Sequence, residues 1–403
     1  MRLFLAACTL LSVVLLAASV YAAEPIRVLL FQNAKRIMVK AEQGLRMRLP
    51  NGEERIAKAP IRVTAASAGL LINGTRVGSG PVLLHSREGD LTVAIEQPSI
   101  GGQRSVSKGA VPAGSPPDQF VIGGTLQLVG RGGELLVINE LDVEEYVKGV
   151  VPSEMNAAWH PEALKVQAVA TRTYALYQQM MSAGRDYDLV ASIQDQVYGG
   201  RHGVDQRIEQ AVEATRGLVV TYNNAPILAA FSSTAAGPTE DAMIVWAKDL
   251  PYLKGVDCPF DASSPYYQWR AEVTLHDLEQ TLRKQGVAVG TIASLTPYVY
   301  SRSGRVDKIR ILHSEGELIL RGQDLRRIVG YSLIPSTQFE VETVGREVVL
   351  AGRGAGHAVG LCQWGAKELA ELGYSFSAIL QYYFPGTELK QMPLIEPASL
   401  PAS

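Results

Sequence analysis

Apolar and polar residues alternate along the N-terminal third of the chain, and this alternation predicts short β-strands. Leucine and methionine alternate with arginine over residues 45–49, and Asn51-Gly52 then turns the chain toward the next apolar run. A second Asn-Gly pair, Asn73-Gly74, follows the apolar residues 70–72. A period of two favours strands, and Asn-Gly between apolar runs is typical of a hairpin. The pattern therefore predicts that residues 24–107 form a small β-rich domain, which we interpret as a platform domain.

Helix signals replace this alternation in the middle of the chain. Asp142 is followed three residues later by Glu145, which is the spacing of a capping box. A helix is therefore predicted over residues 143–150, with Pro152 as the residue that ends it. A second helix is predicted over residues 161–181, because its first position is a proline, which is favoured there.

The remaining pattern mixes both element types. Further helices are predicted at residues 205–215, at 361–372 and after Ser375, and hairpins across residues 218–232 and 306–321. Because no regular βαβ alternation is present, the predicted fold class is α+β, with a β-rich N-terminal platform domain followed by a mixed α+β catalytic domain. Residues 108–118, rich in proline, glycine and alanine, predict a linker, with a long turn as the alternative. The second domain then covers residues 119–390, and residues 391–403 form a tail.

Residues 1–23 have the pattern of a secretory signal peptide. Arg2 precedes an apolar run over residues 3–20, and the small residues Ala22 and Ala23 follow it, as at a signal-peptidase site. An uncleaved membrane anchor is the alternative. No second long apolar run occurs. We therefore expect an exported protein of the periplasm or the cell wall and extracellular space, with no stable membrane span after cleavage.

Composition excludes some function classes. Lysine and arginine number 38 against 40 aspartates and glutamates, and the net charge of −2 argues against nucleic-acid binding through bulk charge. Hydrophobic residues make up 47% of the chain, which is enough for a full core. Two of the three cysteines, Cys258 and Cys362, follow the predicted cleavage site. The sequence leaves open whether they form a disulfide, which export permits, or remain buried thiols.

Glu154 is the residue most suggestive of acid–base chemistry. It lies between two predicted helices, next to apolar residues that include Met155 and Trp159. Apolar neighbours remove water from a carboxyl group and raise its pKa, as a general acid near neutral pH requires. The alternative is an exposed glutamate that caps the following helix.

A glycine-rich loop over residues 352–360 contains His357. Its glycine spacing departs from the dinucleotide-binding G-x-G-x-x-G pattern, because Gly360 comes one residue late, so no nucleotide cofactor is expected. His357 is expected to form a hydrogen bond with the substrate or with Glu154. The alternative is that it is a structural residue of the loop. The six histidines are dispersed and there is no C-x-x-C, so no metal is expected, although a site assembled from distant residues stays open. Ser232 and Ser233 lack the G-x-S-x-G setting of a nucleophile and are interpreted as strand-end hydroxyls.

Several motifs in order resemble the family of stage II sporulation protein D and the amidase enhancer LytB. They are residues 144–155 (EEYVKGVVPSEM), 162–175 (EALKVQAVATRTYA), 196–200 (QVYGG), 245–246 (VW), 352–357 (GRGAGH) and 363–366 (QWGA). The resemblance covers roughly residues 120–390. It implies a peptidoglycan-directed protein.

The sporulation members imply a lytic transglycosylase that cuts MurNAc-GlcNAc glycan strands lacking stem peptides, with Glu154 as the catalytic acid and base. The LytB members imply the alternative, a non-catalytic glycan-binding enhancer of an N-acetylmuramoyl-L-alanine amidase. The side chains expected to bind substrate are Ser153, Gln167, Arg172, Tyr174, Gln196, Tyr198, Ser232, Ser233, His357, Gln363 and Trp364.

Two departures from the family pattern matter for the site. Residues 232–239 read SSTAAGPT where the family has a stretch near S-S-S-G-G-x-T. Some members bind zinc through histidine and cysteine around that stretch, and neither residue type occurs in it here, so no metal is carried over. Ala358 and Cys362 replace a glycine and a serine that are frequent in the family, and both are small enough to leave a groove.

Overall fold

The computed structural model describes residues 24–96 and 118–392. The predicted signal peptide, most of the predicted linker and nearly all of the predicted tail lie outside these ranges. Within them the protein is mixed α+β, as the sequence predicted. The first twelve strands, β1 to β12, span Ile26–Ala34, Arg36–Lys40, Leu45–Arg48, Glu54–Ala57, Ile61–Ala66, Gly69–Ile72, Thr75–Arg76, Val82–Ser86, Leu91–Ile95, Gln119–Ile122, Thr125–Arg131 and Glu134–Leu141.

The next elements contain most of the helices. They are α1 (Val143–Glu154), α2 (Pro161–Met181), β13 (Leu189–Val190), α3 (Gln206–Ala214), β14 (Leu218–Tyr222), β15 (Ala225–Pro226), β16 (Phe231–Ser232) and α4 (Ala242–Trp246). The C-terminal elements are β17 (Trp269–Thr274), α5 (Leu275–Lys284), β18 (Ile292–Tyr300), β19 (Val306–His313), β20 (Gly316–Arg321), α6 (Gly322–Val329), β21 (Gln338–Val344), β22 (Glu347–Arg353), β23 (Leu361–Cys362), α7 (Gln363–Glu371), α8 (Phe376–Tyr383) and β24 (Glu388–Gln391).

Two sheets form the N-terminal part of the fold. One has the strand order β13-β1-β12-β11-β8-β3-β4, and the other has the order β10-β9-β2-β5-β6-β7. Alternate residues such as Val28, Val63 and Leu128 are buried in one core shared by both sheets, as the period-two pattern requires. Strands β10, β11 and β12 pair with β9, β8 and β1, so strands on both sides of the predicted linker share these sheets. The domain division at residues 108–118 stays a prediction, since residues 108–117 are not described.

Helix α1 ends later than the sequence predicted. Pro152 does not stop it, and the helix continues to Glu154, with Met155 N–H donating to the carbonyl of Val151. A proline removes one backbone hydrogen bond and crowds the carbonyl four residues before it, and helix α1 ends two residues after Pro152. Asp142 caps the helix by accepting from the N–H of Glu144 at 2.8 Å. The side chain of Glu145 pairs instead with Lys148 and Arg201, so the predicted capping box does not form.

Helix α2 matches its predicted bounds and is buried along much of its length, packed against α1, α3, α7, α8 and β14. Around it lies a second core, which includes Val166, Ala170, Leu361 and Phe384. A third core lies between the sheets β17-β22-β21 and β18-β19-β20 and the helices α5 and α6. In the two ranges that the structure covers, no helix is both long enough and apolar enough to cross a membrane.

Residues 269–353 contain nearly all of the third core and lie in the chain between two parts of the second core. Those two parts still pack together. Strand β16 precedes this segment and β23 follows it, and these two strands pair in parallel, with Ser232 opposite Cys362. The serine stretch and the start of helix α7 are therefore neighbours, although residues 269–353 separate them in the chain. The candidate site lies where this strand pair meets the end of α1.

Candidate functional site

Glu154 is the last residue of helix α1 and is half-buried. Its Oε1 accepts a hydrogen bond from the N–H of Val197 at 2.9 Å. Burial raises the pKa of Glu154 above the ordinary glutamate value, while the Val197 hydrogen bond and the nearby Gln363 side chain oppose the rise. The negative end of a helix also disfavours a carboxylate. The side chain therefore has the environment of a proton donor.

Gln363 lies between Glu154 and two buried polar residues of helix α2. It is the first residue of α7 and is 5% exposed. Its Nε2 donates to Oε1 of Gln167 at 3.3 Å, and Nε2 of Gln167 donates to the hydroxyl of Thr171 at 3.1 Å. Gln167 is fully buried, so it supports Gln363 from behind and does not reach a ligand.

Two half-buried tryptophans add an aromatic surface beside this network. Trp364 follows Gln363 on α7, and its ring meets that of Trp159 edge to face, with 5.0 Å between centroids and 66° between planes. The ammonium of Lys367 lies 5.6 Å from the Trp364 ring centroid. Trp159 was considered in the sequence only as an apolar neighbour of Glu154. Its pairing with Trp364 depends on a long-range contact that no local pattern encodes.

The serine stretch joins the same region through the strand pair β16–β23. The carbonyl of Ser233 accepts from the N–H of Trp364 at 3.1 Å, and Oγ of Ser232 accepts from the N–H of Ala358 at 3.1 Å. The first contact joins the serine stretch to helix α7, and the second joins it to the glycine-rich loop. A Cβ on Gly356 would lie 2.4 Å from the Cβ of Ser232, and Gly356 has φ 104°, so this approach requires glycine.

His357 lies against Trp246, with 4.9 Å between ring centroids. Its Nδ1 accepts from the N–H of Val359 at 3.0 Å. Burial lowers the pKa of His357 to about 3, with the charges of Arg326 and Arg305 adding to the effect, so the ring is neutral at ordinary pH. Within the two ranges described, its hydrogen bonds go to the loop and to the backbone of Phe231, and Glu154 is not among its partners.

Arg172 does not contribute to the site around Glu154. Its guanidinium is fully buried in a bidentate pair with Glu144, with distances of 2.8 and 2.6 Å, and it also donates to the carbonyl of Leu218 at 3.0 Å. The side chain points into the core because α1, α2 and β14 meet there. Its donors are engaged by the protein itself.

Tyr198 and Gln196 are also core residues. The ring of Tyr198 stacks on Tyr146 at 5.4 Å, and its hydroxyl donates to Asn139 at 2.9 Å. Oε1 of Gln196 accepts from the hydroxyl of Tyr146 at 2.9 Å. The segment containing them contributes to the site through the backbone N–H of Val197.

Two other predicted residues keep some exposure. Tyr174 is half-buried, and its hydroxyl donates to Asp195 at 3.0 Å and accepts from Gln178 at 2.8 Å. Ser153 is exposed on the last turn of α1, beside Glu154. The structure thus brings Glu154 together with Gln363, Gln167 and Trp364, and holds Ser232, Ser233 and His357 on the adjoining strand pair and loop.

Both described cysteines are buried free thiols. This answers the question that the sequence left open about Cys258 and Cys362. With Asp261 they bring three potential ligand atoms within 4.8 Å of one another, all on buried residues. The group is an assembly of distant residues of the kind that the sequence could not exclude.

Comparisons with known proteins show which families the chain resembles. A family model described as stage II sporulation protein matches residues 131–222, and a domain of unknown function (DUF8618) matches residues 250–360. The stage II sporulation protein D of Bacillus subtilis is 31% identical over 76% of this chain and 89% of its own length. An uncharacterized protein of Brachyspira hyodysenteriae is 33% identical over 66% of this chain and 71% of its own. The amidase enhancer of Bacillus subtilis is 30% identical over 60% of this chain and 40% of its own.

Proposed function

The chain belongs to the stage II sporulation protein D family, and from that premise we propose that it is an exported, peptidoglycan-remodelling lytic transglycosylase. The observation that carries the proposal is the environment of Glu154. A half-buried carboxyl group with a raised pKa, at the end of a helix and beside an aromatic pair, has the properties of a general acid in a sugar site. Glycan strands of MurNAc and GlcNAc lacking stem peptides are the proposed substrate.

The reaction class follows from the number of acids. Glycosidases that use water generally need two carboxylates, one on each side of the scissile bond. In the part of the chain that the structure describes, no neighbouring charge contributes to the pKa shift of Glu154. A single acid favours a reaction in which the sugar supplies its own nucleophile.

In the proposed mechanism the carboxylic acid of Glu154 donates its proton to the glycosidic O4 as the bond from C1 of MurNAc to that oxygen breaks. The carboxylate then accepts the proton of the 6-hydroxyl of the same MurNAc, whose oxygen bonds to C1. The product ends in 1,6-anhydro-MurNAc, no water is consumed, and Glu154 is protonated again for the next cycle. The hydrogen bond from Val197, with the nearby Gln363 side chain, stabilises the carboxylate that forms between the two proton transfers.

The other groups have supporting roles in this proposal. Trp159 and Trp364 offer aromatic faces to sugar rings, and Ser153 and Ser233 offer exposed or half-exposed hydroxyls. Gln363 is a positioning residue for Glu154. The predicted signal peptide supports export, which would bring the protein to its substrate.

The amidase-enhancer relative supports a second candidate function. In that role the protein would bind glycan strands and stimulate an N-acetylmuramoyl-L-alanine amidase, and Glu154 would not be required for activity.

The test is mass spectrometry of glycan strands without stem peptides, and of intact sacculi, after incubation with the purified protein. New 1,6-anhydro-MurNAc ends are expected with the unmodified protein and should be lost in Glu154→Gln. Glu209→Gln, on the exposed face of α3, is the matched control and should retain activity. New reducing ends would indicate hydrolysis instead. Binding without cleavage, together with stimulation of an added amidase, would support the enhancer role and contradict the transglycosylase.

A further inference from the structure

A buried cluster of Cys258, Asp261 and Cys362 lies behind the start of helix α7. Cys258 and Asp261 are three residues apart, which is the spacing of the paired ligands in many zinc sites, with a carboxylate in the second place. Cys362 is the N-cap of α7, and its Sγ accepts from the N–H of Gly365 at 3.4 Å. The three side chains are at most 2% exposed.

Asp261 has an incompletely satisfied carboxylate. Its Oδ2 accepts from the N–H of Ala236 at 2.7 Å and from Sγ of Cys362 at 3.2 Å. Its Oδ1 is buried and has no hydrogen-bond partner among the residues that the structure describes. An unpaired carboxylate oxygen inside a protein is unfavourable unless a cation or a donor satisfies it.

Local charge agrees with a bound divalent cation. Arg305 is buried nearby and interacts electrostatically with Asp261 and both cysteines. The Arg305 guanidinium is shared with Glu240, its strongest charge partner, so a divalent cation would offset most of the negative charge of two thiolates and one carboxylate. A disulfide would leave Asp261 without the Cys362 donor and with Oδ1 still unpaired.

We propose that Cys258, Asp261 and Cys362 bind one thiophilic divalent cation, with Zn²⁺ as the expected ion. Thiolate and carboxylate ligands suit zinc, and complete burial indicates a structural site and not a catalytic one. The hydroxyl of Tyr383, 3.2 Å from Sγ of Cys258, borders the same space. The ion would fasten the first turn of α7 to residues 258–261, and so would fix the position of Gln363 beside Glu154.

The first experiment measures metal in the purified full-length protein by inductively coupled plasma mass spectrometry, after preparation without chelators. About one zinc per chain is expected. Replacement of the zinc by Co²⁺ should give the near-ultraviolet thiolate-to-cobalt absorption. Both measurements use the unmodified chain, so they remain decisive even if a variant fails to fold.

Variants then assign the ligands. Cys362→Ser and Asp261→Asn should lower the zinc content at least severalfold, whereas Ser264→Ala, a buried change close to the ligands, should leave it unchanged. The proposal is overturned if the unmodified protein retains no zinc and no cobalt absorption. In that case two titratable thiols besides that of Cys8 would indicate a metal-free cluster, and a mass lower by two hydrogens with no free thiol besides Cys8 would indicate a disulfide.

Discussion

Glu154 ends helix α1 and Gln363 begins helix α7, and the Gln363 side chain lies beside the Glu154 carboxyl group and lowers its pKa. The two residues come from motifs far apart in the chain, and they meet because α1 and α7 both pack around α2. The carboxyl group therefore depends on a second helix for its position and for part of its proton affinity.

Removing the Gln363 side chain should change the pH dependence of glycan cleavage. Gln363 lowers the pKa of Glu154, so Gln363→Ala should raise this pKa further. An acid that must be protonated loses activity as the pH rises through its pKa, and the alkaline limb of the profile should therefore move to higher pH. The rate of 1,6-anhydro-MurNAc formation measured across pH checks this. Gln210→Ala, on the exposed face of α3, should leave the limb in place, and an unmoved limb in Gln363→Ala would contradict the assignment.

The same raised pKa makes Glu154 a source of instability above mildly acidic pH. Because the folded-state pKa lies above the unfolded value near 4.5, folding favours the protonated form, and this contribution is lost as the pH rises through the folded-state pKa. Glu154→Gln should therefore gain in relative stability between pH 4 and pH 7, by about 1.4 kcal/mol for each unit of pKa shift. Urea unfolding at both pH values measures the difference. An equal effect of the substitution at the two pH values would show that the pKa is not raised.

Arg172 should matter for folding and not for substrate. Arg172→Met leaves the Glu144 carboxylate buried without its guanidinium, and we expect a loss of about 3–5 kcal/mol in the free energy of unfolding. The double variant Glu144→Gln with Arg172→Met should recover part of that loss, because no charge is then left unpaired. Denaturant unfolding checks the order of the three proteins. A stable Arg172→Met protein with weakened glycan binding would instead indicate that Arg172 contacts the substrate.

Gly356 and Gly304 offer a matched test of the loop beside Ser232. Both have positive φ, but a Cβ on Gly304 would meet no heavy atom within 4 Å, whereas a Cβ on Gly356 would meet Ser232. Gly304→Ala should lose about 1–2 kcal/mol from backbone strain alone. Gly356→Ala should lose about 1–3 kcal/mol more, because the strand pair must also move. Thermal unfolding compares them, and equal losses would argue against the close approach.

The sequence predicted what local signals encode. Pro161 marks the beginning of α2, and Ser375 caps α8 as expected. Helix α5 was missed, although Thr274 caps it and Leu278 and Leu282 lie on its buried face. That spacing would have revealed it.

Other features depend on packing between distant segments. The family resemblance suggested that Arg172 and Tyr198 bind substrate, but the direction of their side chains is set by Glu144 and Asn139, which no local pattern places opposite them. The cysteine cluster is likewise visible only after folding. Glu154 differs from these features, because the apolar residues next to it in the chain are enough to suggest a partly dehydrated carboxyl group.

The pairing of Trp269 with Gly352 joins the two ends of the unit formed by residues 269–353. Paired residues of antiparallel strands lie only about 5 Å apart, so a tight turn could bridge this gap without disturbing the chain on either side. The unit is in effect a cassette, inserted at one point of the fold, and Glu154, Gln363 and Trp364 all lie outside it. Because Arg305 of the cassette donates to the carbonyls of Ala235 and Pro238, its exchange offers evolution, and protein engineers, a way to change the support of the serine stretch without replacing any of those three residues.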